Sequence, residues 1–140
     1  VKEPQLKECE MLREGQVLFT YLHLAADPQQ AEGLVKSGCT AIAYETVALP
    51  DGRLPLLHPM SVIAGRLAVQ AGAQLLTSPA GGKGVLMAGY PGVPGAQVVV
   101  LGCGSVGTAA IEVAVGLGAQ VVAAFGLGGV ASVSFSVLVA

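Results

Sequence analysis

After Lys83 the sequence has almost no charge: Glu112 is the only charged side chain before the C-terminus. Over the whole chain, charged residues make up 11% and aromatics 4%, and there is no cluster of Lys and Arg and no aromatic platform, which excludes a nucleic-acid surface. Cysteine is sparse. Cys9, Cys39 and Cys103 form no C-x-x-C pair and leave an odd count, so they read as buried free thiols of a reducing, cytoplasmic compartment, and no metal-ligand set is assigned. Val1-Lys-Glu-Pro4 followed by a charged run is not the pattern of a signal peptide. A start without Met, in mid-pattern, is expected of a fragment. The stretch from Val113 to Ala140 is long enough to span a bilayer, but five glycines and scattered serines interrupt it, so no membrane helix is expected. The remaining picture is a chain of 140 residues, 53% hydrophobic, with a formal net charge of −2. That is the length of one ordinary domain, enough to bury a core and short for a two-domain enzyme.

The most informative stretch is Gln97-Val-Val-Val-Leu-Gly-Cys-Gly-Ser-Val-Gly107, followed by the apolar segment Thr108 to Leu117. Four apolar residues, Val98 to Leu101, read as a strand buried on both faces that runs into Gly102, Gly104 and Gly107 at G-x-G-x-x-G spacing. In a chain with 20 glycines the spacing alone says little; the strand before and the helical pattern after give it meaning. Together they predict the first turn of a dinucleotide-binding βαβ unit. Gly102 would permit the tight turn, Gly104 would let a pyrophosphate approach the backbone, and Gly107 would let helix and strand lie close. The amides and positive end of the helix would hold the phosphates.

In chain order, Gln5 to Glu14 carries Leu6, Cys9 and Leu12 on one stripe and predicts a short exposed helix ended by Gly15. Val17 to Leu22 predicts a buried strand that delivers His23 at its C-terminal end. Asp27-Pro28 is an N-cap followed by proline, opening a helix to about Ser37 that Gly38 closes. Thr40 to Glu45 is a second strand, which makes a βαβ unit of the N-terminal third. Pro50 to Arg53 is a turn. From Pro59, near-helical spacing of Met60, Ile63, Leu67, Val69, Leu75 and Leu76 predicts a long, largely buried helix to about Ser78, suited to connect two domains. A Gly/Pro-rich loop from Gly81 to Gly95 leads to the Val98 strand, and Ala119 to Ala124 reads as the next strand. An acid should stand at the end of that strand to bond the adenosine ribose, but the chain reads Phe125-Gly-Leu127.

Several stretches together, Val1-Lys-Glu-Pro4, Leu18-Phe-Thr-Tyr-Leu-His-Leu-Ala-Ala26, Ala41-Ile-Ala-Tyr-Glu-Thr46, Leu54-Pro-Leu-Leu-His-Pro-Met-Ser61, Ala64-Gly-Arg-Leu67 and Gly81-Gly-Lys-Gly-Val-Leu-Met87, resemble the alanine dehydrogenase family, in register over about residues 1–124. The related transhydrogenase alpha subunit shares the architecture and looks less like this at Leu18 to Ala26. The resemblance implies an α/β subunit with a substrate domain and an NAD domain, usually hexameric, that converts L-alanine, NAD and water to pyruvate, ammonia and NADH. It places residues 1–57 as part of a substrate domain. Residues 58–140 follow as a linking helix and the start of a Rossmann parallel-sheet domain, with an atypical tail from about 125.

The resemblance also implies roles for single residues. His23 matches the family's catalytic acid or base, a task that suits an imidazole near neutral pH. Without the motif, a histidine at a strand end reads as structural. Lys2 matches the lysine that holds the substrate's carbonyl and carboxylate oxygens, where the plain alternative is a surface lysine. Tyr21 lines the pocket or packs in the core. Met60 and Ser61 match a hinge segment that contacts substrate and nicotinamide, although Ser61 would also serve as a helix cap. Gly102, Gly104, Ser105, Val106 and Gly107 match the pyrophosphate turn. His58 reads as a loop residue, and Glu45 as an exposed or salt-bridged glutamate. Against the family pattern, a carboxylate-binding arginine before Val1, the ribose acid and the downstream catalytic aspartate are all missing. The chain alone is therefore expected to be inactive, and the position that tells NAD from NADP is not supplied. Two other readings remain: a non-catalytic module that docks on full-length subunits, and a transhydrogenase-like nucleotide-binding subunit.

Overall fold

The structure is a computed structural model that describes residues 2–124 and the backbone of residues 136–139. It divides into two units, Val1–His58 and Pro59–Ala140. Both are mixed α/β, and each builds its own small sheet.

In the first unit, helix α1 (Leu6–Cys9) precedes strand β1 (Val17–Thr20), helix α2 (Pro28–Ser37) and strand β2 (Thr40–Ala43). The two strands pair in parallel, from Val17 opposite Thr40 to Thr20 opposite Ala43, with α2 as the crossover. Asp27 caps α2 by accepting bonds from the amides of Gln29 and Gln30 at 3.0 and 3.1 Å, Pro28 occupies the first helical turn, and Gly38 closes the helix. Cys9, Leu22 and Leu34 form the buried core, flanked by Leu12, Leu18, Cys39 and Ala43.

Three elements here are shorter than the sequence pattern predicts. Helix α1 stops at Cys9 because the chain tightens into i→i−3 turns: the Met11 amide donates to Glu8 O at 3.1 Å and that of Leu12 to Cys9 O at 3.2 Å. The Gln16 side chain then takes the Arg13 amide at 2.6 Å. β1 ends at Thr20 rather than Leu22, because the amides of Leu22 and His23 donate to the Glu45 carboxylate instead of to a strand. β2 ends at Ala43 as the chain bends into a single 3₁₀ turn, Tyr44–Thr46.

In the second unit, helix α3 (His58–Leu75) begins at the junction of the two units. It is followed by β3 (Gln97–Leu101), α4 (Ser105–Gly116), β4 (Gln120–Ala124) and β5 (Ser136–Val139). α3 ends three residues before the predicted stop: the Thr77 amide and hydroxyl both turn back to Gln74 O, and Pro79 bars helical geometry at Ser78. Burial along α3 is narrower than its apolar pattern predicts. Gly65 and Val69 are buried, whereas Met60, Ile63, Leu67 and Leu75 are exposed. β3 and β4 pair in parallel from Gln97 opposite Gln120 to Leu101 opposite Ala124, the arrangement a βαβ unit requires. β5 joins the other edge of β3 antiparallel, so the sheet order is β4-β3-β5 and the sheet is mixed. The core gathers Val69, Leu76, Met87, Ala96, Val98, Val100, Ala110 and Ala114. Val98 and Val100 are fully buried, as the continuous apolar run predicts. The Gly/Pro-rich loop is anchored: Met87 enters the core, and the Gly84 and Val85 amides donate to Leu76 O. The tail expected from about residue 125 lies outside the described residues except for 136–139.

Candidate functional site

Two groups of residues carry chemistry, one in each unit. In the first unit they collect where β1 leaves the sheet. Glu45, just past β2, reaches across with its carboxylate: Oε1 accepts from the His23 amide at 2.7 Å and from the Leu22 amide at 3.1 Å, and Oε2 accepts from Leu22 at 3.2 Å. Held there, His23 takes a left-handed backbone conformation with φ of 47° and ψ of 39°. It is the only non-glycine residue with positive φ among those described. Its ring bonds through Nδ1 to the Glu3 carboxylate and stacks against Tyr21, with ring centroids 6.0 Å apart and 22° between planes. Tyr21 is itself fixed, donating its hydroxyl to Leu56 O at 2.6 Å and meeting Tyr44 edge-on at 5.1 Å. The buried Thr20 hydroxyl donates to Lys2 O at 2.9 Å, which ties the Lys2-Glu3 segment to the end of β1.

The electrostatics follow from these contacts. Burial pushes the Glu45 carboxyl upward, but the amides of His23, Glu45 and Leu22 together with the His23 charge outweigh it and hold Glu45 below the usual carboxylate value of 4.5. Glu3 is likewise held below 4.5, first by its own backbone amide, then by the His23 hydrogen bond, with a smaller contribution from the Lys2 charge. Both carboxylates are therefore anions at neutral pH, set beside one imidazole. More than half of the His23 side chain remains exposed, so its far edge can meet a ligand.

Of the residues singled out in the sequence, Lys2, Tyr21 and His23 come together here. Glu45 belongs to the same cluster, as a clamp on the backbone and not as a surface glutamate. Glu3 was missed as a site residue. Its signal was faint, because nothing in the spacing of Glu3 and His23 shows that the segment before α1 lies against the end of β1.

In the second unit, the turn between β3 and α4 has the geometry its glycines suggest. Gly102 has φ of 93°, a left-handed value that side chains avoid, and its amide donates to Ala124 O at 2.9 Å. Gly104 precedes the first helical residue, and a Cβ placed there would meet nothing within 4 Å, which leaves open space at the mouth of the turn. A Cβ on Gly107 would lie 1.8 Å from Gly102 O, so only glycine allows α4 to sit this close to β3. Ser105, Val106 and Gly107 form the first turn of α4, at the end where the helix dipole is positive. The open space at Gly104 beside the positive end of α4 would suit an anionic group such as a pyrophosphate. Met60 and Ser61 stand on the first turn of α3 in this same unit, Met60 exposed and Ser61 half-buried. The position expected to carry the ribose acid, just past Ala124, lies outside the described residues.

A parallel βαβ turn of this kind defines a dinucleotide-binding class of α/β protein. Residues 1–64 match the family model for the alanine dehydrogenase/PNT N-terminal domain, and residues 68–125 match that for the C-terminal domain. The alanine dehydrogenase of Methanococcus maripaludis is 58% identical over 121 residues, which is 86% of this chain and 32% of that protein. That of Bacillus subtilis is 59% identical over 122 residues, again 86% of this chain and 32% of the relative. A solved L-alanine dehydrogenase structure superposes with a TM-score of 0.75 at 57% identity, covering 87% of this chain and 34% of that one. The chain belongs to the alanine dehydrogenase/PNT family. It spans about a third of the length of the relatives it matches. Among the described residues, no helix is long and apolar enough to cross a membrane, and no group of three or more His, Cys, Asp or Glu is placed to hold a metal ion.

Proposed function

We propose that this chain carries part of the machinery of an NAD-dependent alanine dehydrogenase, a cytoplasmic and oligomeric enzyme in which L-alanine, NAD and water become pyruvate, ammonium, NADH and a proton. Residues 1–57 would belong to the substrate domain and residues 58–140 to the nucleotide domain, with α3 as the connecting helix. The observation that carries the reading is the β3–α4 turn, in which Gly102 supplies the left-handed bend, Gly104 the open approach and Gly107 the close packing. Bound there, NAD would accept the hydride from the α-carbon of alanine.

This chain's own residues would do the rest. Gly102, Gly104, Ser105, Val106 and Gly107 would hold the pyrophosphate against the N-terminus of α4. Lys2 would hold the substrate's carboxylate and developing carbonyl oxygens as a point charge. His23, exposed at its far edge, would hydrogen-bond the oxygen of the forming carbonyl and move a proton at that oxygen, as acid or base according to direction. Tyr21 would wall the pocket through its stack on His23, and Met60 and Ser61 would contact substrate and nicotinamide.

Hydride transfer needs both reactants held in one geometry, and Phe125-Gly-Leu127 stands where the ribose acid is expected, so turnover by these 140 residues alone is not expected. Loss of the ribose carboxylate alone weakens NAD binding by roughly 1–3 kcal/mol, the scale of a charged hydrogen bond. Calorimetry with NAD on the 140-residue chain, with NADH formation from L-alanine followed in the same sample, tests this. Weak binding without turnover is expected. Absence of any binding heat overturns the nucleotide reading, and NADH formation overturns the inactivity.

A second reading, a non-catalytic module that docks on full-length subunits, is favoured by one observation. Phe19 and Ile42 on the first sheet and Val122 on the second are large apolar side chains about half exposed. A mixed complex with a full-length subunit in light scattering would support it.

A further inference from the structure

The proton at His23 has two possible seats, and the fold chooses between them. Neutral imidazole carries one N–H, and whichever ring nitrogen is bare does the acid–base work. An unrestrained histidine keeps its proton mainly on Nε2, which would leave Nδ1 bare. Here Nδ1 faces the Glu3 carboxylate. An ionised carboxylate can only accept, so the proton in that contact belongs to Nδ1. We propose that Glu3 is the positioning residue of His23: its carboxylate keeps the proton on Nδ1 and turns bare Nε2 outward as the nitrogen that takes and returns a proton at the substrate. The inference rests on the reading of His23 as acid or base given above.

Three further observations support the assignment. Glu3 stays ionised at neutral pH, because its own amide and the His23 bond hold its carboxyl low. It is anchored: Pro4 beside it is buried, and the preceding Lys2 carbonyl is tied to the Thr20 hydroxyl at 2.9 Å. The ring also has little freedom to present its other edge. Glu45 clamps the His23 amide at 2.7 Å and Tyr21 covers one face of the imidazole. One carboxylate fixes the backbone and the other fixes the ring. When the outward nitrogen takes up a proton, the imidazolium that forms keeps its Nδ1 contact with the Glu3 carboxylate.

The test reads the tautomer directly. Long-range proton–nitrogen correlation spectra of the ¹⁵N-labelled chain in alkaline buffer, where imidazole is neutral, separate protonated from bare ring nitrogens. His58 is the other histidine, and a His58→Gln sample identifies its signals. The expected result is a protonated Nδ1 and a bare Nε2 at His23, with a nuclear Overhauser contact from the Nδ1 proton to the Glu3 side chain. Glu3→Ala should return His23 to the ordinary Nε2–H form, and Glu3→Asp should keep part of the Nδ1–H population. A wild-type His23 protonated on Nε2, or a folded Glu3→Ala chain with an unchanged tautomer, overturns the proposal. If Glu3→Ala does not fold, the wild-type tautomer and its contact to Glu3 decide the matter without a variant. None of these readouts needs NAD or alanine. A chain that binds no NAD yet shows Nδ1–H refutes the functional reading and upholds Glu3, whereas a chain that binds NAD and shows Nε2–H does the reverse.

Discussion

Adding one methyl group at Gly107 and one at Gly104 should have opposite consequences, although the positions are three residues apart in the same turn. The new Cβ in Gly107→Ala would lie 1.8 Å from Gly102 O and 2.9 Å from Gly102 C. Both are backbone atoms of the turn, so no rotamer change relieves the clash and α4 must retreat from β3 by well over an ångström. That retreat opens the seam in which Ala110 and Ala114 of α4 are buried together with Val98 and Val100 of β3. Overpacking a rigid site typically costs ~1–3 kcal/mol and more where backbone is the obstacle, so at least about 3 kcal/mol is expected here. With a urea slope of roughly 1–3 kcal/mol per molar, the unfolding midpoint should fall by about 1–3 M.

In Gly104→Ala the same methyl meets nothing within 4 Å, and the backbone, at φ −75°, already suits alanine. Its stability should stay within about 0.5 kcal/mol of the parent. The methyl then stands in the space through which a pyrophosphate must come to reach the amides of α4, so the heat of NAD binding should be lost from a fully folded protein. Urea unfolding and NAD calorimetry on the three proteins separate the two effects. An unchanged midpoint in Gly107→Ala refutes the close packing of α4 on β3, and parent-like NAD binding by Gly104→Ala refutes the open cradle.

Two further outcomes test the first unit. Glu45→Ala removes the acceptor of the Leu22 and His23 amides, and with Leu22 buried it should destabilise the chain by about 1–3 kcal/mol, the cost of an unpaired buried donor. Because the folded-state value of Glu45 lies below 4.5, its stabilisation is fully present above about pH 4.5 and is lost as pH falls below that. Urea midpoints measured at several pH values should therefore converge for parent and variant in acid, and a gap that persists there refutes the ionic clamp. Asp27→Ala removes the cap of α2 and should lower stability by about 1 kcal/mol in thermal unfolding while leaving NAD heats unchanged. A change in the NAD heats would show that α2 matters beyond its own unit.

Much of the architecture could be read from local chemistry, because the signals that wrote it are local. Asp27-Pro28 and Gly38 frame α2 as predicted, and the run Val98 to Leu101 ahead of G-x-G-x-x-G gives a buried parallel strand, a turn and a helix. Element ends were less legible where a distant side chain takes over a backbone amide. Nothing in Val17 to Leu22 announces that Glu45 will claim the last amides and end the strand at Thr20. The apolar spacing of α3 overstated its burial, since a period of 3.6 shows that residues share a face but not that anything covers it. The antiparallel β5 was invisible for a related reason: strand direction at a sheet edge is set by pairing, and its Ser/Val composition suits either sense.

The same distinction explains why one candidate site was readable and the other only in part. The nucleotide turn is contiguous. Its three glycines stand within six residues, so their spacing, read with the strand before and the helix after, encodes the bend, the opening and the close contact. The histidine site is assembled from three separate segments: Lys2-Glu3, the end of β1, and Glu45 beyond β2. Parallel pairing of β1 with β2 brings the C-terminal ends of both strands to one edge, which places Glu45 beside Leu22 and His23. The Thr20 hydroxyl then holds the Lys2-Glu3 segment against that edge. Each contact depends on the one before it: without the parallel register Glu45 has no amides to hold, and without that clamp His23 has no reason to adopt a left-handed conformation. His23 could be picked out by type and motif, but the two carboxylates that orient it are set by topology, and topology is written across the whole unit.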